Sequence, residues 1–157
     1  MIKDCINHIN ICIDNTEKKI SKMSEEELSK KNVFSKWSRK EILGHLVDWA
    51  AISHSRFIRA QIDQPPFELR KYEQNKWVDI QHYNNLPTED IFKLWKAYNK
   101  HLIHVISIIP KEKLSTSINI VIDRPMMIKA KISSKAFTLN WLINDYVYHL
   151  ESHLESF

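Results

Sequence analysis

A single glycine, Gly44, occurs in 157 residues, alongside 5 prolines. Tight β-turns and phosphate-cradling loops draw on glycine for positive φ and close backbone approach. A chain this poor in glycine is directed towards helices and away from nucleotide-binding loops. Its length suits one domain with its own core, and residues 1–157 are read as that domain. Hydrophobic residues make up 43%, an ordinary share for a globular protein.

The apolar pattern agrees. Ile2, Ile6, Ile9, Ile13 and Ile20, with Cys5 and Cys12 beside them, recur at helical spacing over residues 2–22. The cysteines share a helix face two turns apart, too far to bridge within one helix, and read as small buried apolar side chains. Ser24-Glu-Glu-Glu-Leu28 reads as a short capped turn. Ser38 and Glu41 match the capping box, in which side chain and backbone exchange hydrogen bonds. They open a long helix to about Gln61, which Pro65 and Pro66 prevent from continuing. Residues 62–87 form a long connection with one short helix around Trp77 to Tyr83. Thr88, followed by Glu89 and Asp90, is the expected N-cap of a helix running to Pro110. Residues 118–122 and 126–132 flank Asp123-Arg-Pro and predict a hairpin or extended flap, an insert and not a domain. Thr138 caps a final helix to about Ser156. Four long helices with this patterning predict a helix bundle.

The formal net charge of +4 comes from lysines and acids mixed along the chain. A nucleic-acid footprint would gather basic residues on one surface, and the densest group, at 35–40, reads as a helix start. Lys3, Asp4 and Asn7 leave no room for an apolar signal segment, and no apolar run reaches membrane length. The expectation is a cytoplasmic protein with neither nucleic acid nor membrane as partner.

The residues that suggest chemistry are histidines. His149 and His153 lie one turn apart on the last helix, with Cβ atoms about 6 Å apart. His45 lies about 10 Å down the helix that Ser38 opens. If those helices are antiparallel, all three imidazoles fall at a similar depth at one end of the bundle. At 100° per residue His45 aligns with Asp48, Trp49, Ile52 and Arg56, and His149 and His153 align with Leu142, Asp145 and Tyr146. Polar groups on such stripes need partners when buried. Asp48 and Asp145 are candidate acceptors for histidine N–H groups, and Arg56 could pair with a carboxylate deeper in the bundle. The spacing admits two readings: a facial three-histidine metal site with positions open to water or substrate, or histidines filling polar core positions. His54 faces the opposite side of its helix from His45. His101 and His104 share a face of the third helix, and His8 and His82 have no matching partners. These five read as surface or packing residues.

Trp37-Ser-Arg-Lys-Glu-Ile-Leu-Gly-His-Leu-Val-Asp48 with Arg56-Phe57 resembles the second helix of the DinB-like (DinB/YfiT-type) metalloenzyme family. So does Tyr72-Glu-Gln-Asn-Lys-Trp-Val78. Leu94-Trp-Lys-Ala-Tyr-Asn99 and residues 138–154 are similar to its third and fourth helices. The likeness covers nearly the whole chain and is weakest at 111–136. It implies an all-α, up-down-down-up four-helix bundle in which a long crossover joins parallel second and third helices, with a small extended or hairpin insert before the fourth.

The resemblance also implies a metal triad of His45, His149 and His153 and a divalent ion, zinc or nickel ahead of iron or manganese. Many relatives carry a further histidine just before the last ligand, where this chain has Ser152. The topology brings residues 23–37 and the far half of 62–87 to the metal end. Phe34, Trp37, Tyr72, Gln74, Trp77 and Tyr83 are therefore expected around the opening, while the flap at 118–132 falls at the other end, as a structural element or part of an assembly surface. Relatives act as thiol S-transferases or a thiol-dependent isomerase and are often dimers. The implied function is a homodimeric metal-dependent transferase or hydrolase acting on a small molecule, with a low-molecular-weight thiol as co-substrate. A metal-bound water or thiol would be the reactive group, with Asp48, Arg56 and Gln74 as assisting candidates. The alternative is a non-enzymatic metal-binding or stress-response module.

Overall fold

The computed structural model describes residues 2–31, 36–70, 72–120, 137–155 and 157. In chain order the elements are α1 (Ile2–Ile20), α2 (Glu25–Ser29), α3 (Arg39–Ile62), β1 (Phe67–Leu69), α4 (Gln74–Gln81), α5 (Thr88–Ile108), β2 (Ser117–Ile120), β3 (Phe137–Thr138) and α6 (Leu139–Glu155). Helices α1, α3, α5 and α6 form a four-helix bundle of up-down-down-up topology, in which α1 packs on α5 and α6, and α3 on the same two. The crossover between α3 and α5 is long enough to return the chain to the starting end, so these two run parallel.

Local sequence explains where most helices start. Ser24 and Ser38 each accept from the backbone N–H three residues on, while Glu27 and Glu41 reach back to the cap N–H, completing two capping boxes. Thr138 Oγ1 accepts from the N–H of Trp141 at the start of α6. The start of α5 differs from expectation. Thr88 is its first helical residue and Pro87 holds the cap position without a side-chain bond. The carboxylate of Glu25 takes over, accepting from the Thr88 N–H and hydroxyl, each at 3.0 Å. A negative group there also suits the helix dipole. The same carboxylate pairs with the buried Lys40 ammonium at 2.6 Å, so one acid ties α2 to the starts of α3 and α5.

The core runs the length of the bundle. Ile9, Leu43, Leu46, Leu102, Ile106, Leu139, Ile143 and Leu150 are fully buried, each contributing roughly 1.5–3 kcal/mol by leaving water. Between α5 and α6 lies one buried polar node. The Tyr146 hydroxyl donates to Asn99 Oδ1 at 2.6 Å, and Asn99 Nδ2 donates to the Trp95 carbonyl at 2.8 Å. Every group in it has a partner, as a dry core requires. Cys5 and Cys12 are free and buried, and burial pushes the Cys12 thiol up to about 11.

Strand β2 falls where the flap was expected, and its partners are distant. It pairs parallel with β1 (Phe67 opposite Ile118, Leu69 opposite Ile120) and antiparallel with β3 (Ile118 opposite Phe137). The remainder of the expected flap, 121–132, lies outside the described residues. Since β3 leads directly into α6, this sheet sits at the end of the bundle away from His149, about 15 Å along the helix. The short helix expected at Trp77–Tyr83 starts at Gln74 and stops at Gln81, and Tyr83 falls in a separate turn. Among the described residues no helix is long and apolar enough to cross a membrane.

Candidate metal centre

From Ile42 to Ala50 every residue of α3 is buried, because α2, α4 and the crossover cover the flank of the helix that would otherwise meet water. Gly44 shows how close that cover is. A Cβ there would stand 2.1 Å from Cδ2 of Tyr83, so the one glycine of the chain is where an aromatic ring lies directly on helix backbone.

His45 follows it, fully buried, and meets α6 where His149 and His153 project. One ring nitrogen from each of the three histidines lies within 4.8 Å of the other two. Nε2 of His45 and Nε2 of His149 are 2.9 Å apart. Ligands on one tetrahedral zinc, with Zn–N near 2.0–2.1 Å, stand about 3.3 Å apart. Seating an ion would therefore open that pair by a few tenths of an ångström and draw in the wider separations of the trio, which reach up to 4.8 Å. The donor set is three imidazoles, all favouring the neutral form. Burial, then the nearby His153, lowers His45 to about 3. Burial, then His153, His45 and Arg56, hold His149 well below its ordinary value. Burial lowers His153. Neutral imidazole is the form that ligates, so this site fits a divalent cation of the zinc or nickel type.

What orients the rings differs from expectation. The hydroxyl of Tyr72, in the crossover, is hydrogen-bonded to His45 Nδ1 at 2.9 Å. With the proton on Nδ1, His45 Nε2 presents a lone pair to the centre. Asp48, the expected acceptor for a histidine, is engaged elsewhere. Its Oδ1 accepts from the Tyr83 hydroxyl at 2.7 Å and from Gln81 Nε2 at 2.8 Å. Three residues beyond His45, it meets the crossover's second tyrosine and not an imidazole. His149 is held by stacking, its ring 4.2 Å from that of Trp49 at 28°, and its Nδ1 has no hydrogen-bond partner among the described residues. Trp37 covers the other side, 4.9 Å from His45 and 6.2 Å from His153.

Other expected residues distribute as follows. Tyr72 is half-buried and meets Trp77 edge-on at 5.3 Å, while Trp77 itself is 42% exposed. Tyr83, also in the crossover, is buried with its hydroxyl on Asp48. Gln74 is exposed at the start of α4. Phe34 lies outside the described residues. Asp145 is buried, and its charge helps keep Arg56 protonated against burial. Arg56 donates to the Arg70 carbonyl at 2.9 Å and lies over the Trp49 ring at 5.2 Å, so it braces the crossover and the tryptophan that stacks on His149. Trp49 and Gln81 are the residues sequence reading missed. Trp49 was visible on the His45 stripe, whereas nothing local marks Gln81.

No family model matches the sequence, and no curated protein matches it. Among solved structures, YfiT from Bacillus subtilis, described as a probable metal-dependent hydrolase with an unusual four-helix bundle topology, superposes with a TM-score of 0.79. It is 14% identical over 98% of this chain and 81% of its own. A mycothiol-dependent maleylpyruvate isomerase superposes with a TM-score of 0.71 at 9% identity, covering 99% of this chain. A mutant of the same isomerase also gives a TM-score of 0.71, at 8% identity. This chain spans 60% of the isomerase's length. Helix order, the parallel middle pair joined by a long crossover, and these superpositions together show that the chain has the DinB-like fold.

Proposed function

We propose that the chain is a metal-dependent enzyme in which His45, His149 and His153 hold one divalent ion, zinc or nickel ahead of iron or manganese. The reaction is a hydrolysis or a thiol S-transfer on a small electrophilic molecule, with a low-molecular-weight thiol as co-substrate in the second case. The observation that carries this reading is the meeting of three imidazoles, two buried and one half-buried and all favouring the neutral form, within 4.8 Å. When bound, such an ion lowers the pKa of water towards ~7 or keeps a thiol deprotonated.

The chain's own residues supply the rest. Tyr72 holds the tilt of His45 through its bond to Nδ1, and Trp49 and Trp37 pack against the rings while excluding bulk water. His153, half-buried where His45 and His149 are buried, marks the side from which a small molecule approaches. Asp48, through Oδ1, and Arg56 hold the crossover in place by engaging Tyr83, Gln81, Arg70 and Trp49. A homodimer in the cytoplasm is part of the same reading. The fold neighbours, a probable metal-dependent hydrolase and a mycothiol-dependent isomerase, support the class of chemistry.

The test starts with metal analysis of the purified chain. About one divalent ion per chain is expected at the triad, lost in His149→Ala, His153→Ala. Thiol consumption with a model electrophile, and hydrolysis of simple esters, are then followed with and without metal. A chain that takes up no ion at the triad returns the histidines to core packing. A loaded chain inert with several thiols and esters is a metal-binding module and not an enzyme.

A further inference from the structure

A second histidine group lies on the other side of α3, apart from the triad. His54 is nine positions beyond His45, about 14 Å down the helix and half a turn round it. There α3 runs beside α5, and the ring of His54 meets that of His101 with centroids 4.9 Å apart at 49°. His104, one turn further along α5, has its ring 6.3 Å from His101. His54 is half-buried, and His101 and His104 are exposed. Among the described residues no hydrogen bond or ion pair engages the ring nitrogens of any of the three.

The spacing has chemical meaning. Two imidazoles on one tetrahedral ion, each with its nitrogen about 2.0–2.1 Å from the metal, place their ring centres about 5 Å apart. The triad's own ring separations are 5.1, 4.8 and 4.6 Å, and the 4.9 Å of His54 and His101 falls among them. Both histidines stand on long helices whose backbones are fixed from beneath by the buried Phe57, Leu102 and Val105. Ligands on packed helices keep their spacing better than ligands on loops. We propose that His54 and His101 chelate a second divalent cation on the α3–α5 face, with His104 close enough to add a third nitrogen by a change of rotamer. Imidazole donors without a carboxylate favour zinc, nickel or copper over calcium or magnesium. The remaining positions are open to solvent, so this ion exchanges more readily than one at the triad. The inference stands whether or not the triad is catalytic.

The experiment is equilibrium dialysis of chelator-stripped protein against buffered Zn²⁺, with metal counted by mass spectrometry. Two ions per chain are expected for the unaltered protein. His149→Ala, His153→Ala should keep one, and His54→Ala, His101→Ala should keep the other. Tested singly, His54→Ala and His101→Ala each weaken the second equivalent by about tenfold or more, because a chelate becomes a single ligand, and His104→Ala weakens it by a smaller factor. Cu²⁺ loaded into the second site should show, by electron paramagnetic resonance, two equatorial nitrogens that fall to one in either single variant. If His54→Ala and His101→Ala both leave zinc uptake within twofold of the unaltered protein, the chelate does not exist. If the only ion bound is one that His54→Ala removes, the triad reading fails and this one survives. Since His101 is exposed, its variant folds even if replacing half-buried His54 costs stability, and its result alone decides.

Discussion

Gly44→Ala separates a helix-propensity argument from a packing argument, because the two predict opposite signs. In the middle of a helix alanine is favoured over glycine by about 1 kcal/mol, so propensity alone predicts a more stable protein. The structure predicts the reverse. The new methyl would stand 2.1, 2.2 and 2.5 Å from Cδ2, Cγ and Cε2 of Tyr83, where ordinary contact needs well over 3 Å. The ring cannot yield cheaply, since it is 4% exposed and its hydroxyl donates to Asp48 at 2.7 Å. Overpacking of this kind costs about 1–3 kcal/mol. Displacing the hydroxyl leaves a buried carboxylate short of a donor, for about another 1–3 kcal/mol. Less the propensity gain, the net loss is about 1–5 kcal/mol. Urea unfolding of the metal-free protein, followed by circular dichroism, measures it. Tyr83→Ala removes the obstacle, so the alanine at 44 should cost much less in that background, with a coupling of at least about 1 kcal/mol. Gly44→Ala as stable as the parent, or effects of the two substitutions that simply add, would refute the reasoning.

Three further outcomes are expected. Tyr72→Phe removes the partner of His45 Nδ1 and should weaken divalent-metal affinity about 10–100-fold with little change in fold; chelator competition reads this, and unaltered affinity would remove Tyr72 from the site. The metal-free protein should lose stability on acidification. With His45 lowered to about 3 and His149 lowered as well, the unfolded chain holds more protons than the folded one below about pH 6.5. Stability is therefore complete above that value and falls towards pH 3 by about 1.4 kcal/mol per unit for each such histidine. Urea midpoints at several pH values test this, and a slope unchanged in His149→Phe would contradict it. Asn99→Ala strands the Tyr146 hydroxyl in the core and should cost about 1–3 kcal/mol in thermal or urea unfolding, whereas Tyr146→Phe combined with Asn99→Leu should cost less than the sum of the two changes made separately.

Features written within a few consecutive residues were legible in the sequence. Ser24 with Glu27, Ser38 with Glu41, and Thr138 each announce a helix start through bonds that span three positions, and all three act so. The depth argument for His45, His149 and His153 used only helix rise and an antiparallel pairing, and the rings do meet. Features that depend on how the crossover lies were not legible. Asp48 and Tyr72 were both marked as near the metal end. Which of them touches His45 depends on the path of residues 70–86, and hydrophobic period says nothing about that path. Thr88 looked like a cap because its neighbours fit the pattern; the actual acceptor, Glu25, lies 63 positions away. The β1–β2 pairing and the approach of His54 to His101 are likewise contacts between distant stretches, and periodicity within either stretch carries no trace of them.

The His45 and His149 nitrogens that stand 2.9 Å apart belong to residues 104 positions apart. No fragment lacking either α3 or α6 can assemble the trio, so a nascent or partly unravelled chain is blind to the cation that the finished bundle recognises. Any ion held there works as a clasp between an early and a late stretch of polypeptide. At a free concentration one hundred times its dissociation constant it would add about 2.7 kcal/mol against unravelling, and the lifetime of the folded chain would then follow the supply of metal.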